Sequence, residues 1–379
     1  MNIFIYNIIF LACILISLLI NHLLCKRYFY EHIDFSGKRY FHIDGIRGIA
    51  ALFVVLNHAV FSFNNNGFNP KVIDGLDLWI FAHAGDIGVQ IFFCITGFLF
   101  TDKIIKTQNK INWVQFFMSR IKRLVPMYFL ATTIVLILSL LWSNGNQKII
   151  MTIRQAINIY GFGFMGSDIW VNGFRTYSLN AIIWTLPYEW KFYCILPVIC
   201  ALLNFKIMLY IAGLLTMAFA FNDLYSGQVV WTYFISGAIA AYAANKTEAT
   251  SINNNKSKAL EFIYFIIVCS TIIYLLNSSI SGYGYERFLI SSALFIFIAI
   301  VKPKFLALKP LVYLGEASYS SYLLHLIINA LIIRFYSNYI NLNNVNEYQY
   351  WSVVVSLVAA TVFITAYAFK YVEYKFIKK

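Results

Sequence analysis

The stretch IDGIRGIAALFVVLNH, residues 43–58, sets an arginine and a histidine into an otherwise apolar run. A neutral imidazole is well suited to take a proton from a hydroxyl near neutral pH, and a guanidinium is suited to hold an anion. Arg47 and His58 lie eleven residues apart, within about 20° of a whole number of helical turns, so one helix face carries both, roughly 16 Å apart along its axis. Titratable groups at membrane depth are costly and mark function by default. Arg47 also fits a plainer part, as an interfacial anchor or as the partner of Asp44 three residues earlier.

Further polar groups fall in similar settings. In IIWTLPYEWKFYCILPV, Glu189 sits about five residues inside the outer end of its apolar segment, a depth like that of His58. There it can orient the imidazole, as a carboxylate does in hydrolase triads, hold an acceptor hydroxyl, or simply pair with Lys191. Its neighbours Trp184, Tyr188 and Trp190 offer flat faces on which sugars stack. His325, in LGEASYSSYLLHLIIN, lies deeper and reads as a polar core residue, with Ser318, Tyr319 and Tyr322 as interhelical contacts. In FFMSRIKRLVPMYFL, Arg120 and Arg123 stand one helical turn apart with Lys122 between them. That arrangement suits bidentate phosphate binding, or serves topology alone.

The elements that position these residues follow from composition. With 60% hydrophobic residues, 18% aromatic and 12% charged over 379 positions, the chain holds more apolar surface than a soluble domain can bury. A bilayer core about 30 Å thick needs roughly 17 to 25 apolar residues per helix. Eleven candidate spans lie near 3–24, 46–63, 84–102, 124–142, 184–203, 206–222, 228–244, 259–277, 286–301, 316–336 and 350–371. Their runs are continuous, not alternating, so an all-α polytopic membrane protein is expected and a β-barrel is not.

Basic residues orient the bundle, because Lys and Arg accumulate on the cytoplasmic side. Of the 29, seven fall at outer positions (Lys71, Lys148, Arg154, Arg175, Lys191, Arg287 and Arg334), Arg47 lies at an inner helix end, and the remaining 21 lie inside. The expectation is a multi-pass protein of the inner or plasma membrane with a cytoplasmic C-terminus and an N-terminus outside. The first segment lacks a positive n-region and a cleavage pattern, so it reads as a retained anchor. Residues 1–40 then form an N-terminal helix and linker, and 41–379 one membrane domain. The net charge of +13 is a topology signal and an attraction to anionic lipid, with no nucleic-acid partner needed. Six cysteines without Cys-x-x-Cys spacing indicate neither a disulfide framework nor a metal site. The outer stretch 143–183 reads as an ordered surface loop or a re-entrant segment, preceded by an amphipathic helix at 149–160. The Asn-rich stretch 250–258 reads as a flexible inner loop.

Five motifs in order resemble the acyltransferase 3 family, membrane enzymes that move an acyl group, most often acetyl, from coenzyme A onto cell-envelope sugars. They are DGIRGIAAL…NH with its Arg-x10-His spacing, GVQIFFCITGFL at 88–99, the Arg-x-x-Arg pair leading into LVPMYFL, WTLPYEWKFY at 184–193, and LGEASYSSYLLH at 314–325. Thr96 stands where the family has Ser, and Lys375 replaces the proline of its closing Glu-x-Pro, leaving Glu373 in place. The resemblance implies a ten-helix core plus one extra N-terminal helix. It implies His58 as the essential catalytic histidine, Arg47 in the same site, and Arg120 and Arg123 at the donor end. Acetyl-CoA would be the donor, used without a metal. A glycan or its lipid-linked precursor, as in O-antigen, capsule or exopolysaccharide O-acetylation, would be the acceptor. Other readings are a flippase for lipid-linked sugars, or transfer of succinyl or to a non-sugar acceptor. A flippase is disfavoured by the lack of paired broken helices in two halves.

Overall fold

The computed structural model describes residues 3–27, 29–30, 33, 35, 39–73, 78–143, 145, 149–203, 205–226, 230–250 and 257–378. Lys148 and residues 251–256 of the Asn-rich stretch lie outside them. The helices are α1 (Ile3–Lys26), α2 (Phe41–Asn65), α3 (Trp79–Lys106), α4 (Trp113–Trp142), α5 (Ile149–Ile159), α6 (Tyr177–Asn180), α7 (Leu186–Leu202), α8 (Lys206–Ser226), α9 (Thr232–Thr250), α10 (Lys258–Asn277), α11 (Tyr285–Val301), α12 (Lys309–Glu316), α13 (Ser318–Ser337), α14 (Glu347–Ala368) and α15 (Tyr374–Lys378). Each of the eleven expected spans corresponds to a helix. Among the described residues, seven of these helices are long and apolar enough to cross a membrane by length and composition. The other four, α7, α8, α9 and α11, have 17 to 21 residues. The protein is an all-α, multi-pass membrane protein, as its continuous apolar runs require: in lipid every backbone group must be satisfied within its own segment.

α2 is the central element, with 78% of its most apolar window buried. It can be central because of its glycines. A Cβ on Gly45 would meet the Leu306 carbonyl oxygen at 1.7 Å, and one on Gly48 the Leu311 carbonyl at 2.4 Å. On the facing chain, a Cβ on Gly315 would meet the Asp44 carbonyl at 2.0 Å. Three small residues thus let α2 and the 304–316 segment cross backbone against backbone, a close approach typical of membrane helix pairs. Asp44, in the first turn of α2, faces the positive end of the helix dipole. Past the far end of α2, Gly67 takes φ +84°, which an L side chain rarely adopts.

The expected last-but-one span, 316–336, is α13, and a short helix, α12, leads into it. The segment 309–337 breaks at Ala317, where α12 ends and α13 begins. α1 lies against the bundle, with the Phe10 ring 5.5 Å from Phe53 of α2 and 5.6 Å from Phe81 of α3. After α4 comes the long connection. α5 exposes Ile149, Ile150, Ile153 and Ile157, the pattern of a helix lying along the lipid interface. A two-residue hairpin follows, pairing Trp170 with Arg175 and Val171 with Phe174 around Asn172–Gly173. Both turn residues have positive φ, 47° and 86°, as such Asn-Gly turns demand. Asp168 closes the hairpin base by accepting from Arg175 at 2.7 and 2.8 Å, and this partner holds its carboxyl below the usual range.

Residues 177–185 then run into the bundle. Ser178, Leu179, Asn180, Ile182 and Ile183 are buried, and Tyr322 of α13 donates to the Ile182 carbonyl at 2.5 Å. Residues 177–185 are thus inside the bundle, packed on α13, before α7 begins.

Candidate active site

A cavity of about 250 Å³ opens among α2, α3, α4, α7 and α13 toward the basic end of the bundle. Arg47, Lys103, Arg120 and Arg123 line its polar part, with Glu189 opposite them, while Val89, Phe92, Phe93 and Ile95 line the apolar part. Arg47 is buried, and its Nη1 donates to Asp44 Oδ1 at 3.0 Å. Asp44 Oδ2 takes Arg39 Nε at 2.8 Å, and Arg39 pairs with Glu316 as well. The pairing of Asp44 with Arg47 is therefore real, and it holds the guanidinium in the cavity wall. α4 starts at Asn112, whose side chain caps the Gln115 amide at 3.0 Å. It presents Arg120 over the Phe100 ring at 5.3 Å and Arg123 Nε 4.0 Å from Glu373 Oε1. Pro126, one turn on, cannot donate back to the helix and loosens it there. Lys122, on the same turn, is exposed and is not part of the lining.

Glu189 is in the first turn of α7, and its Oε2 accepts from Tyr193 at 2.8 Å. It lies within electrostatic reach of Arg123, Arg120 and Arg47. Its companions are therefore the arginines of the basic-end cavity. The meeting of Glu189 with His58 at matching depth, expected from hydropathy, is not what the structure shows. The cause is the 177–185 segment, which has already entered the bundle before α7 begins, so Glu189 lies deeper than a straight outer-to-inner span would put it.

His58 instead faces His325, with ring centroids 5.1 Å apart and planes at 39°. His325 is fully buried, and its Nδ1 is 2.9 Å from the Ser321 carbonyl. A carbonyl only accepts, so this contact puts the proton on Nδ1 and leaves Nε2 with its lone pair. Among the described residues Nε2 has no hydrogen-bond partner. Ser62 Oγ donates to the His58 carbonyl and accepts from Asn329 Nδ2 at 2.8 Å, tying α2 to α13 beside the two rings. Tyr322 stands between this pair and the cavity. Its ring is 6.3 Å from His325 and 6.3 Å from Phe92, and its hydroxyl is 2.6 Å from Thr185 Oγ1.

The other expected residues divide. Ser318 and Tyr319 line the cavity, and the Tyr319 hydroxyl donates to the Leu124 carbonyl at 2.9 Å. Trp184 and Tyr188 pack on each other at 6.1 Å, and Trp190 packs on Phe162 and Tyr193, all three outside the cavity lining. Sequence reasoning passed over Lys103, Tyr193 and Thr185 as site residues. Lys103 was legible as the end of the stripe Thr96, Leu99, Lys103 on one face of α3, and Tyr193 as the i+4 neighbour of Glu189. Glu373, buried in a π-helical turn (Phe369–Glu373) just after α14, accepts from Ser320 Oγ at 2.8 Å and reaches Arg123. The sequence had placed it only as part of a tail motif.

A polytopic helical bundle with a cationic cavity at one end and a pair of imidazoles just beyond its inner limit has the makings of a membrane group-transfer enzyme. The chain belongs to the acyltransferase 3 family: the family model, described as an acyltransferase domain, matches residues 40–370. That match begins where α2 begins, so α1 precedes it. Among similar proteins is one of Acidianus two-tailed virus whose name reads "Putative acetyltransferase ORF330", 27% identical over 309 residues, covering 76% of this chain and 83% of that protein. Another is the O-acetyltransferase OatA of Staphylococcus aureus, 26% identical over 330 residues, covering 75% of this chain and 49% of that protein. The chain thus spans about half the length of the staphylococcal relative. No solved structure matches it.

Proposed function

We propose that the protein is an O-acyltransferase that takes an acyl group, acetyl in the first instance, from acyl-CoA at the basic, cytoplasmic end and delivers it to a sugar hydroxyl of an envelope glycan or its lipid-linked precursor. The observation that carries this reading is the cavity lined by Arg47, Lys103, Arg120 and Arg123, which runs inward to Tyr322 and stops one ring short of His325. Guanidiniums at the mouth suit the nucleotide phosphates of the donor. The apolar walls suit its uncharged arm, and the depth is that of an extended chain: Arg47 and His58 stand roughly 16 Å apart along α2. For the thioester to reach the imidazoles, the Tyr322 side chain has to turn away from Ile182 and Thr185.

The step itself is ordinary acyl transfer. The acceptor oxygen attacks the thioester carbonyl while His58 takes its proton; the C–S bond then breaks, and the thiolate leaves and is protonated. General-base action of this kind contributes about 10² to 10⁴ in rate. Glu189, among the arginines, keeps their charge partly balanced before the donor arrives. The test supplies labelled acetyl-CoA to membranes carrying the intact protein or His58→Ala at equal abundance. Alkali-labile label in the glycan fraction that depends on His58 supports the reading, and equal labelling from both removes His58 from the chemistry. A transporter would tolerate the substitution in part.

A further inference from the structure

A second cavity, of about 440 Å³, opens at the opposite end of the bundle from the arginine-lined one. Its wall is made by Asn65 and Asn66 at the end of α2, Trp142 at the end of α4, Arg175 of the hairpin, Ser178 of α6, and Arg334 of α13. These are the planar amide, guanidinium, hydroxyl and indole groups that hydrogen-bond and pack against sugars. The two cations differ. Arg175 is committed to Asp168 by two bonds, whereas Arg334 stacks on the Trp142 ring at 4.7 Å. Stacking covers the guanidinium face and leaves its edge of donors for a ligand.

The cavity's position gives it meaning. Its lining includes Ala330 and Ile333 of α13, and Ala330 is five residues, roughly 7.5 Å of helix rise, from His325. Between them lies Asn329, fully buried, whose Nδ2 reaches Ser62 beside His58 and whose Oδ1 has no partner among the described residues. The first cavity approaches the histidine pair from one side, stopping at Tyr322, and this one approaches it from the other.

We propose that this opposite-end cavity is the binding site for the acyl acceptor, a polyhydroxylated glycan chain. Donor and acceptor then enter from different faces of the membrane and meet only at His58 and His325, with Asn329 Oδ1 as the first acceptor a sugar hydroxyl meets below the cavity floor. This inference rests on the acyl-transfer reading above and adds the acceptor's place to it.

The experiment uses cells that carry the intact chain and are fed labelled acetate, so that acetyl-CoA is labelled only inside. The variant Ser337→Cys, at the cavity rim, is treated from outside with a bulky membrane-impermeant maleimide, and alkali-labile label in the envelope glycan fraction is counted. Treated wild type should label as untreated wild type does, and treated Ser337→Cys should lose at least about tenfold relative to the same variant untreated. Arg334→Gln should lower labelling several-fold with no reagent present. Fully modified Ser337→Cys that still labels at the wild-type rate overturns the acceptor site while leaving the acyl-transfer reading standing. Failure of the reagent to reach Cys at 337 also overturns it, because the cavity then does not face outward. No His58-dependent label in untreated cells removes both.

Discussion

α2 and α10 are both apolar helices of membrane-spanning length, yet they live in different surroundings. The more apolar of the two is the less buried: α10 has a mean hydropathy of 2.2 with 17% of its window buried, and α2 a mean hydropathy of 1.7 with 78% buried. In water the order would be reversed. In a bilayer the solvent is as apolar as leucine, so hydrophobicity does not drive a helix inward. What takes α2 to the centre is its small and polar residues: Gly45 and Gly48, which admit a neighbouring backbone, and Arg47, His58 and Ser62, which need partners away from lipid. The difference teaches that within such a chain the functional helix is found where apolarity is broken.

The sharpest way to break that comparison is His58→Ala. If α2 is central because of the chemistry it carries, transfer should fall by about 10² to 10⁴ at unchanged protein level, measured as labelled acetyl incorporated per molecule. Replacing lipid-facing Phe262 of α10 by Leu should leave the same assay unchanged.

Next in size is packing. Gly45→Ala drives a methyl into the Leu306 carbonyl, which neither backbone can yield without shifting. Overpacking of this kind costs roughly 1–3 kcal/mol or more, so the midpoint of thermal unfolding in detergent should drop clearly. Gly213 of α8 has nothing within 4 Å of its added Cβ. Gly213→Ala should be neutral or raise stability by at most about 1 kcal/mol through helix propensity. Equal losses at the two positions would mean that α2 is not packed as described.

Within the donor cavity the expected effect is on binding. Arg120→Ala with Arg123→Ala should raise the donor KM on the order of 100-fold, two charge-assisted contacts being worth about 1.5 kcal/mol or more each, and saturating donor should restore the rate. Loss that no donor concentration recovers would place the pair in the chemical step or in folding.

These expectations show how far the sequence could be read. Fold class and the eleven segments were legible because a bilayer demands a long apolar run for each crossing, a purely local property. Arg47, Arg120 and Arg123 could be placed together because each marks the basic end of a span. The partner of His58 could not. From a straight count along its segment Glu189 was one candidate for that place, and the structure puts His325 there, because residues 177–185 enter the bundle before α7 begins. That entry depends on a contact between distant segments, Tyr322 with Ile182, that no local pattern encodes.

The smallest effect separates the buried 177–185 segment from the hairpin before it. Asp168 and Arg175 tie the exposed hairpin base, and the bonded carboxyl is held below the ordinary value of about 3.9. A depressed carboxyl contributes its stability above the unfolded-state value and loses it as pH falls through the folded one. The hairpin should therefore be unaffected between neutral pH and about pH 5 and loosen only below about pH 4, read as faster amide exchange at Arg175 and Thr176. Both residues are exposed and screened, so the change should stay confined to the hairpin. Exchange at Ser178, Leu179 and Asn180, buried against α13, should not follow. If it does, the 177–185 segment is held by the surface ion pair and not by its packing, and the centre of the bundle is less independent of its rim than α2 and α10 make it.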